Sequence, residues 1–339
     1  MRKIIEMNKI PTHNLTLTIL LLALASGPLV LAQEADAQSQ DEIKDITGRN
    51  YLLVPSTPRA APVPIKLTDF CLLNWDFAAP DFKLQDNGHM TGKGYMASPS
   101  LAGQMLPYAK EEGNSLCQVP RYSLVPSGLP DGGNALQYAL GPQQRTDPKA
   151  RTEHYLVIEN FDKIYVSDFS LKLHPDFTPI DLKRQDGGSA WCCLRQWHQG
   201  VPISPPMALS LKQGTRDIIS TRFCWGTYEG GEIFRARSSE KKIQLGKWYH
   251  FRFEWRIAPG TDRSFCKVWM SDLRKGDQLT AEDMWCNYHG PIGYTTPEGK
   301  PNWNSHPLRE QQGLYQNSHL VTKTFHAVIY DNVCIHQRN

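Results

Sequence analysis

The sequence predicts an all-β fold, a two-sheet sandwich of the jelly-roll type. From Phe70 onward, short runs of alternating apolar and polar residues are separated by clusters of Gly, Pro, Asn and Asp, which is typical of strands joined by turns. The 24 Pro and 25 Gly, with 9 Trp, 13 Tyr and 12 Phe among 339 residues, favour turns and strands over helices. No long amphipathic helix, fixed-period repeat or glycine-rich phosphate loop is recognisable. Short strands at this spacing indicate a sandwich.

Individual strands are predicted from the alternation of side chains along an extended chain. In Trp248–Ile257, Phe251, Phe253 and Trp255 fall on one side, and polar or charged residues fall on the other. This is the pattern of a strand with one face on a core and the other toward solvent or a ligand. The other predicted strands are Tyr155–Ile158, Ile164–Leu173, Ser189–His198, Met207–Leu211, Phe265–Met270 and Phe325–Ile335.

Composition divides the chain into three regions. A basic start, the apolar run Leu15–Ala25 and the small residues Val30-Leu31-Ala32 predict a signal peptide over residues 1–32. Residues 33–66 are polar and then proline-rich, which predicts a flexible linker. Residues 67–339 form the predicted β-jelly-roll domain. We therefore expect a secreted protein, extracellular or periplasmic, and a retained N-terminal anchor is the alternative.

The charge balance limits the kinds of partner. The formal net charge is only +3, whereas a general nucleic-acid binder usually shows a strong basic excess. An anionic ligand must therefore be bound by a local cluster rather than by the field of the whole protein. No segment after the leader approaches membrane-spanning length, so no membrane association is expected once the leader is removed. The chain is expected to act as a monomer.

The chain has eight cysteines, and in an exported protein an even number predicts disulfides whose connectivity the sequence leaves open. Buried free thiols are the alternative. No C-x-x-C pair occurs, so neither a zinc site nor a redox motif is predicted. The cysteines are Cys71, Cys117, Cys192, Cys193, Cys224, Cys266, Cys286 and Cys334.

Three segments combine residue types that carry chemistry, and the first begins at Arg151. In an extended chain Arg151, Glu153 and Tyr155 project to one face. The Glu can orient the guanidinium, whose fork then suits a carboxylate. A solvated edge strand with an ordinary charge pair is the alternative.

The second segment is Gln196-Trp197-His198. Alternation places Gln196 and His198 side by side and directs Trp197 to the core. An amide can donate to a carboxylate, and a neutral imidazole can accept a proton. A structural His at the sheet edge is the alternative. The same alternation would send Arg195 toward the core, so a β-bulge or a buried partner is expected there.

The third segment is Gln311–Asn317. As a strand it places Gln311, Gly313, Tyr315 and Asn317 on one face. The missing side chain of Gly313 would let a ligand approach Tyr315, and a phenol beside cations can exchange a proton with a substrate. A core Tyr with its hydroxyl bonded to the backbone is the alternative.

The order Arg-Thr-Glu, Gln-Trp-His, Gly-Leu-Tyr-Gln resembles the jelly-roll polysaccharide lyases. The tripeptide around Trp197, followed by Ser204-Pro205-Pro206, is similar to the heparin lyase I and glucuronan lyase branch, and the wider pattern is similar to alginate lyases. Tyr330-Asp331-Asn332-Val333 resembles the closing strand of such sandwiches. One departure is Glu310-Gln311, which replaces the Phe-Lys of the alginate lyases and removes a usual cation.

The resemblance implies a concanavalin-like sandwich with a concave groove and a β-elimination on a uronic-acid polymer. It implies that Arg151 and Gln196 neutralise the sugar carboxylate, that His198 or Tyr315 removes the C5 proton, and that Tyr315 protonates the departing O4. The partner would be an anionic polysaccharide. No cofactor is required, and a structural calcium ion is an open alternative. The residues expected to contact substrate are Glu153, Gln311, Asn317, Arg252 and Lys212. Arg252 and Lys212 are included because they lie on predicted strands, and an ordinary surface or packing role is the alternative for both.

Two other functions remain open from the sequence. A glycoside hydrolase of this fold would use two carboxylates, and the Glu-x-Asp-x-x-Glu pattern of that group is absent from the chain. A non-catalytic carbohydrate-binding module would keep the groove without a proton-transfer pair, and the altered Glu310-Gln311 segment favours it.

Overall fold

In the computed structural model, all of the described residues belong to the unit Gln40–Asn339. The predicted signal peptide, residues 1–32, lies outside the described residues. The structure describes residues 42–44, 50–54, 58–66, 68–75, 77, 79, 82–84, 90–91, 95–97, 106–108, 122–130, 133–140, 149–158, 161–178, 191–199, 204–211, 217–227, 233–273, 278–302, 308–317 and 326–339.

The regular secondary structure of the described residues is almost entirely β, with one short 3₁₀ helix at Ala281–Asp283. The strands are β1 (Glu42–Lys44), β2 (Asn50–Val54), β3 (Phe70–Trp75), β4 (Lys83–Leu84), β5 (Met90–Thr91), β6 (Tyr95–Ala97), β7 (Leu106–Tyr108), β8 (Tyr122–Pro126), β9 (Asn134–Leu140), β10 (Lys149–Ile158), β11 (Tyr165–Leu173), β12 (Trp191–His198), β13 (Met207–Leu211), β14 (Ile218–Thr227), β15 (Ile233–Ser238), β16 (Lys241–Lys242), β17 (Trp248–Arg256), β18 (Phe265–Asp272), β19 (Met284–His289), β20 (Gly293–Thr295), β21 (Leu308–Asn317) and β22 (His326–Gln337).

Two large sheets account for nearly all of these strands. The first sheet has the order β1-β2-β15-β14-β13-β12-β21-β10-β7, with β16 and β20 also paired to β14. The second sheet has the order β19-β18-β17-β11-β22-β3-β6, with β9 on β22 and β8 on β9. Strands β4 and β5 form a separate ribbon. The prediction of an all-β two-sheet jelly-roll sandwich is confirmed.

The core lies between the two sheets and is rich in aromatic rings. Trp197 of the first sheet packs on Phe253 and Trp255 of the second, with ring centroids 5.0 and 5.9 Å apart. These contacts identify the inner face of each sheet, because side chains on alternate residues point to opposite faces. The predicted alternation in Trp248–Ile257 is therefore observed, with Phe251, Phe253 and Trp255 fully buried.

Described residues before position 67 are attached to the sandwich by strand pairing and hydrogen bonds, unlike those of a flexible linker. Strand β2 pairs in parallel with β15 at the edge of the first sheet. Further along, the Ala60 carbonyl accepts a hydrogen bond from Trp269 Nε1 at 2.7 Å, and the Val63 carbonyl accepts one from Arg338 at 2.9 Å. The structure thus differs from the predicted 33–66 linker over these described residues, because backbone pairing and side-chain donors anchor them.

The expected disulfides are not found among the seven described cysteines, all of which are free thiols. The adjacent Cys192 and Cys193 point to opposite faces of β12 and so do not meet. Cys192 belongs to the core, whereas Cys193 lies on the other face with its Sγ 3.4 Å from Ser210 Oγ. Burial raises the pKa of both thiols, which keeps them protonated and unreactive. Cys117 lies outside the described residues.

Within the described part of the chain, no helix is long and apolar enough to cross a membrane. The same part holds no group of three or more His, Cys, Asp or Glu side chains placed to bind a metal ion.

Candidate active site

The three chemistry-bearing segments lie on three adjacent strands of the first sheet. Strand β21 runs between β10 and β12 and is antiparallel to both. The register places Arg151 opposite Tyr315, and Gln196 opposite Gln311. Directly opposite residues of antiparallel strands project to the same face, so these side chains share one face of the sheet. Residues far apart in the sequence are thereby brought together.

This shared face points away from the core, and we call it the outer face of the first sheet. Its direction follows from Trp197, which packs inward and so directs Gln196 and His198 outward. A β-bulge between Cys193 and Arg195 interrupts the alternation. The sequence predicts a bulge or a buried partner for Arg195, and the structure contains both.

Arg151 contacts two of the predicted site residues. Its guanidinium carbon lies 3.8 Å from the centroid of the Tyr315 ring, a cation–π contact. Its Nε lies 3.7 Å from Glu153 Oε2. The Glu153 carboxylate is fully buried, and its Oε1 accepts a hydrogen bond from Gln196 Nε2 at 2.7 Å. Arg151, Glu153, Gln196 and Tyr315 therefore form one contact cluster.

His198 extends the cluster along β12. It lies on the same face as Gln196, opposite Arg309 in the register, and the charges of Arg151 and Arg309 both act on it. Tyr315 lies six positions further along β21 than Arg309. A substrate that engages both His198 and Tyr315 must therefore lie across the cluster that contains Arg151.

The pKa values of the two predicted proton-transfer groups are shifted in opposite directions. Burial, reinforced by Arg151 and Arg309, lowers the pKa of His198 to about 4, so its imidazole is neutral near pH 7. Burial raises the pKa of Tyr315, and this effect exceeds the opposing charge and hydrogen bond of Arg151. The phenol is therefore protonated at neutral pH. The resting site holds a proton acceptor at one end and a proton donor at the other.

Glu153 is the third titratable group with a large shift. Burial raises its pKa from 4.5 to about 7, although Arg151 and the hydrogen bond from Gln196 oppose the change. The carboxyl therefore exchanges its proton close to neutral pH. Its other oxygen, Oε2, has no hydrogen-bond partner.

Gly313 has a structural role that differs from the predicted one. Its φ of +135° lies in a region that side-chain-bearing residues rarely adopt. An added Cβ would come within 2.2 Å of the Thr152 carbonyl oxygen and 2.8 Å of Glu153 Cα. The glycine therefore allows close approach of the neighbouring strand, and the approach of a ligand beside Tyr315 stays a prediction.

On the inner face, a polar network joins the same three strands. Arg195 donates from Nε to Glu310 Oε1 at 2.6 Å and from Nη1 to Gln312 Oε1 at 2.9 Å. Gln312 Nε2 donates to the Tyr138 hydroxyl at 3.1 Å, and that hydroxyl lies 2.9 Å from His154 Nδ1. Each of β10, β12 and β21 thus has an inward polar side chain next to an outward site residue. Such a network fixes the strands that carry the site.

Among the residues that the structure describes, the outer face carries four arginines that the sequence does not predict as site residues. Arg222 lies opposite Ala208, which lies opposite Gln196, and Arg237 lies opposite Arg222. Because Gln196 projects to the outer face, the residues that lie opposite it along this row of paired strands project to the outer face as well. Alternation in β14 and β15 was a signal for them, but only the register across five strands relates them to the site. The four are Arg222, Arg235, Arg237 and Arg309.

The remaining predicted substrate contacts have different outcomes. Gln311 is buried on the outer face, with its Oε1 lacking a hydrogen-bond partner. Asn317 lies at the end of β21, where its backbone pairs with Lys149 and Trp191. Lys212 lies outside the described residues.

Arg252 does not join the cluster. It lies on β17 of the second sheet, where its guanidinium is bound by Asp168, which also contacts His250 Nε2 at 2.5 Å. Asp168 and Arg252 line a cleft of about 480 Å³ that contains none of the cluster residues. The placement corrects the expectation that Arg252 contacts the same substrate as Arg151. Alternation assigns a residue to a face, but it does not assign a strand to a sheet.

No protein-family model matches the chain, and no curated protein matches it. Among solved structures, the endo-β-1,4-glucuronan lyase of the fungus Trichoderma reesei is 14% identical over 68% of this chain and 90% of that chain, with a TM-score of 0.47. The exolytic PL7 alginate lyase of Zobellia galactanivorans is 10% identical over 76% and 95%, with a TM-score of 0.43. A GH131 β-glucanase catalytic domain from Podospora anserina is 12% identical over 78% and 95%, with a TM-score of 0.44.

Jelly-roll polysaccharide lyases are thus among the structural neighbours, as the sequence resemblance predicts. A hydrolase is among them too. All of these neighbours are less than 15% identical to the chain, with TM-scores below 0.5, so they assign no activity to it.

Proposed function

We propose that this chain is a polysaccharide lyase that cleaves a uronic-acid polymer by β-elimination on the outer face of the first sheet. The observation that carries the proposal is the cluster of Arg151, Glu153, Gln196 and Tyr315, with His198 on the same face. The cluster supplies a fixed cation, an amide donor, a protonated phenol and a neutral imidazole. These are the groups that the elimination requires.

The first task of the site is to neutralise the sugar carboxylate. The proton on C5 is weakly acidic because its removal places negative charge on the adjacent carboxylate. Arg151 can pair with that charge, and Gln196 can donate a hydrogen bond to it once the substrate displaces its bond to Glu153. Donors fixed in advance stabilise charge that develops in the transition state.

The second task is proton transfer, and the protonation states favour one assignment. Neutral His198 accepts the C5 proton, and protonated Tyr315 donates a proton to the departing O4. The C5–H bond and the C4–O4 bond break, a C4–C5 double bond forms, and no water is consumed. The alternative in which Tyr315 serves as both base and acid requires an ionised phenol, which burial of Tyr315 disfavours.

An anionic polymer suits the charge of the outer face. Arg151, Arg309 and the row that contains Arg222 and Arg237 place guanidinium groups on one face, although the whole chain carries a formal net charge of only +3. Guanidinium groups bind carboxylates in a bidentate manner. The charge is therefore concentrated where a polyuronate would lie.

Hydrolysis has less support from the described residues. A glycoside hydrolase needs two carboxyl groups that flank the bond. Among the described strands of β10, β12, β13, β14 and β21, Glu153 is the one carboxyl on the outer face, since Glu310 points inward to Arg195. A carbohydrate-binding module remains the main alternative. Arg309, however, supplies a cation on the strand where Gln311 replaces the expected Lys.

Incubation with a panel of glucuronan, alginate, heparin-like and pectic polymers tests the proposal. We expect ultraviolet absorbance from the new conjugated double bond with at least one polyuronate. New reducing ends without that absorbance would indicate a hydrolase, and retention of polymer without either would indicate a binding module.

Two Tyr→Phe variants then test the assignment. Tyr315→Phe should lower turnover by about 10²-fold or more, the usual contribution of a general acid. Tyr165→Phe is the matched control, because Tyr165 lies in the second sheet, where its hydroxyl is 3.4 Å from Gln337 Oε1. Equal activity of the two variants would contradict the role of Tyr315.

We also propose export of the chain, on the basis of the basic start and the apolar run Leu15–Ala25. In an exporting host, we expect mature protein whose mass corresponds to a start at Gln33. Retention of the full-length chain in the cells would contradict export.

A further inference from the structure

The carboxyl of Glu153 occupies an unusual environment for a charged group. It is fully buried, and one oxygen accepts a hydrogen bond from Gln196 while Oε2 accepts none. Arg151 Nε lies 3.7 Å away, too far for a hydrogen bond. A buried carboxylate is costly unless its oxygens are paired and hydrogen-bonded. The surroundings therefore stabilise the ionised form of Glu153 only in part.

The described groups that act electrostatically on Glu153 lie on β10, β12, β21 and β22, and β7 also pairs with β10, with Tyr108 opposite Glu153 in the register. Arg151 on β10 favours its ionised form, and Tyr315 on β21 and Cys193 on β12 interact with it electrostatically. From the inner face, Cys192 and Tyr330 do so as well. Arg151 is the one cation that acts on the carboxyl among these described groups. The pKa near 7 is the result of burial opposed by this single cation and the Gln196 amide.

Substrate binding shifts the balance between ionised and protonated Glu153 toward the protonated form. Under the proposed function, a sugar carboxylate binds to Arg151 and Gln196, the same two groups that now hold Glu153. Two carboxylates that share one site cannot both be ionised at low cost, so one of them is protonated. Withdrawal of Arg151 and Gln196 toward the substrate also removes what stabilises the Glu153 anion.

We propose that Glu153 acts as a neutral carboxylic acid, whose Oε2–H donates a hydrogen bond to the carboxylate of the bound uronate. This inference rests on the proposed function. The proton stays on Glu153 throughout, so no additional transfer step arises. The bond strengthens as C5 loses its proton and charge builds on the sugar carboxylate, which makes Glu153 a third neutralising group beside Arg151 and Gln196.

The variant Glu153→Gln separates this proposal from an ionised Glu153. A glutamine is neutral at all pH values, and its amide donates a hydrogen bond as the protonated acid does. In the wild type, kcat/KM should fall about tenfold per pH unit above about pH 7, because kcat/KM reports the free enzyme. In Glu153→Gln that alkaline limb should disappear, so that kcat/KM no longer falls between pH 7 and pH 9, whatever the level of its plateau. Glu153→Ala should lose activity at every pH.

Two other results would overturn the proposal. If Glu153 works as an anion that orients Arg151, Glu153→Gln should be as inactive as Glu153→Ala at all pH values. An alkaline limb that persists unchanged in Glu153→Gln would also contradict it. Failure of the wild type to release unsaturated product from any polyuronate at any pH would overturn the proposed function itself, and this inference with it.

A calorimetric measurement gives a second readout that does not depend on turnover. A uronate oligosaccharide is titrated into Tyr315→Phe at pH 8 in buffers of different ionisation enthalpy. We expect uptake of close to one proton on binding, and no uptake in the double variant Tyr315→Phe/Glu153→Gln. Binding without proton uptake in Tyr315→Phe would overturn the proposal even if Glu153→Gln failed to fold.

Discussion

At the scale of single residues, the chemistry of the site arises from burial as much as from residue type. His198, Tyr315 and Glu153 are all held partly or wholly away from water, and burial is the largest cause of the pKa shift of each. Each shift favours the uncharged form. Arg151 and Arg309 lie beside them, and an arginine side chain is a permanent cation in proteins. The site thus combines neutral proton-transfer groups with fixed cations.

The pH dependence of activity tests the state of His198. Because its pKa is lowered to about 4, kcat/KM should fall as pH decreases through that value, when the imidazole becomes protonated. Arg309→Gln removes a positive charge that opposes protonation, so the pKa of His198 rises and the acid limb should move to higher pH. Lys163→Gln, an exposed charge removal outside the first sheet, is the control. An acid limb that stays in place in Arg309→Gln would contradict the role of His198.

Gly313 is required for its backbone conformation and for its lack of a side chain. Gly313→Ala should lower the free energy of unfolding by about 3 kcal/mol or more, because the Cβ meets the Thr152 carbonyl at 2.2 Å. Gly128→Ala is a matched control. Gly128 also has positive φ, of +70°, but no atom lies within 4 Å of an added Cβ, so it should cost only about 1–2 kcal/mol. Denaturant unfolding measures both, and equal losses would contradict the steric argument.

At the scale of strands, the site depends on an internal ion pair as well as on its outward side chains. Arg195 and Glu310 are both fully buried and lie 2.5 Å apart from Nη2 to Oε1. Ser167 Oγ also donates to Glu310 Oε2, at 2.9 Å. The Arg195 guanidinium lies 4.1 Å from the Phe169 ring centroid. The pair joins β12 to β21 at the bulge that precedes Gln196.

Removal of one residue of the Arg195–Glu310 pair should lower the free energy of unfolding far more than removal of both. Glu310→Leu leaves a buried guanidinium without its counter-ion and should lower the free energy of unfolding by about 3–5 kcal/mol. The double variant Arg195→Met/Glu310→Leu should recover much of that loss, because apolar groups of similar size replace the pair. Urea unfolding of the single and double variants is the measurement. Additive losses would show that the two residues do not act as a pair.

The sequence predicts the faces of strands well and their neighbours poorly. Alternation correctly assigned Trp197 inward and Gln196 outward, and it identified Arg195 as the residue in conflict with the pattern. The assignment of Arg252 to the site was wrong because alternation is a local property. Pairing depends on contacts between strands that are distant in the sequence. Arg222 and Arg237 were missed for the same reason.

At the scale of the whole molecule, a nearly neutral chain presents a strongly polarised surface. The first sheet directs arginines from β10, β14, β15 and β21 to its outer face, and its inner face packs aromatic rings against the second sheet. The sandwich is therefore the scaffold for a cationic surface. All-β class and sandwich architecture were predictable from composition and periodicity. The convergence of three segments was predicted from resemblance, and the register of β10, β21 and β12 gives it a physical basis.

The most direct test of the account is the crystal structure of Tyr315→Phe with a bound uronate oligosaccharide. We predict a sugar carboxylate within hydrogen-bond distance of Arg151, Gln196 and Glu153, with C5 facing His198 and O4 facing the edge of the aromatic ring at position 315, where the hydroxyl was removed. An oligosaccharide bound on another surface, or one on this face whose carboxylates do not contact Arg151, would contradict the account.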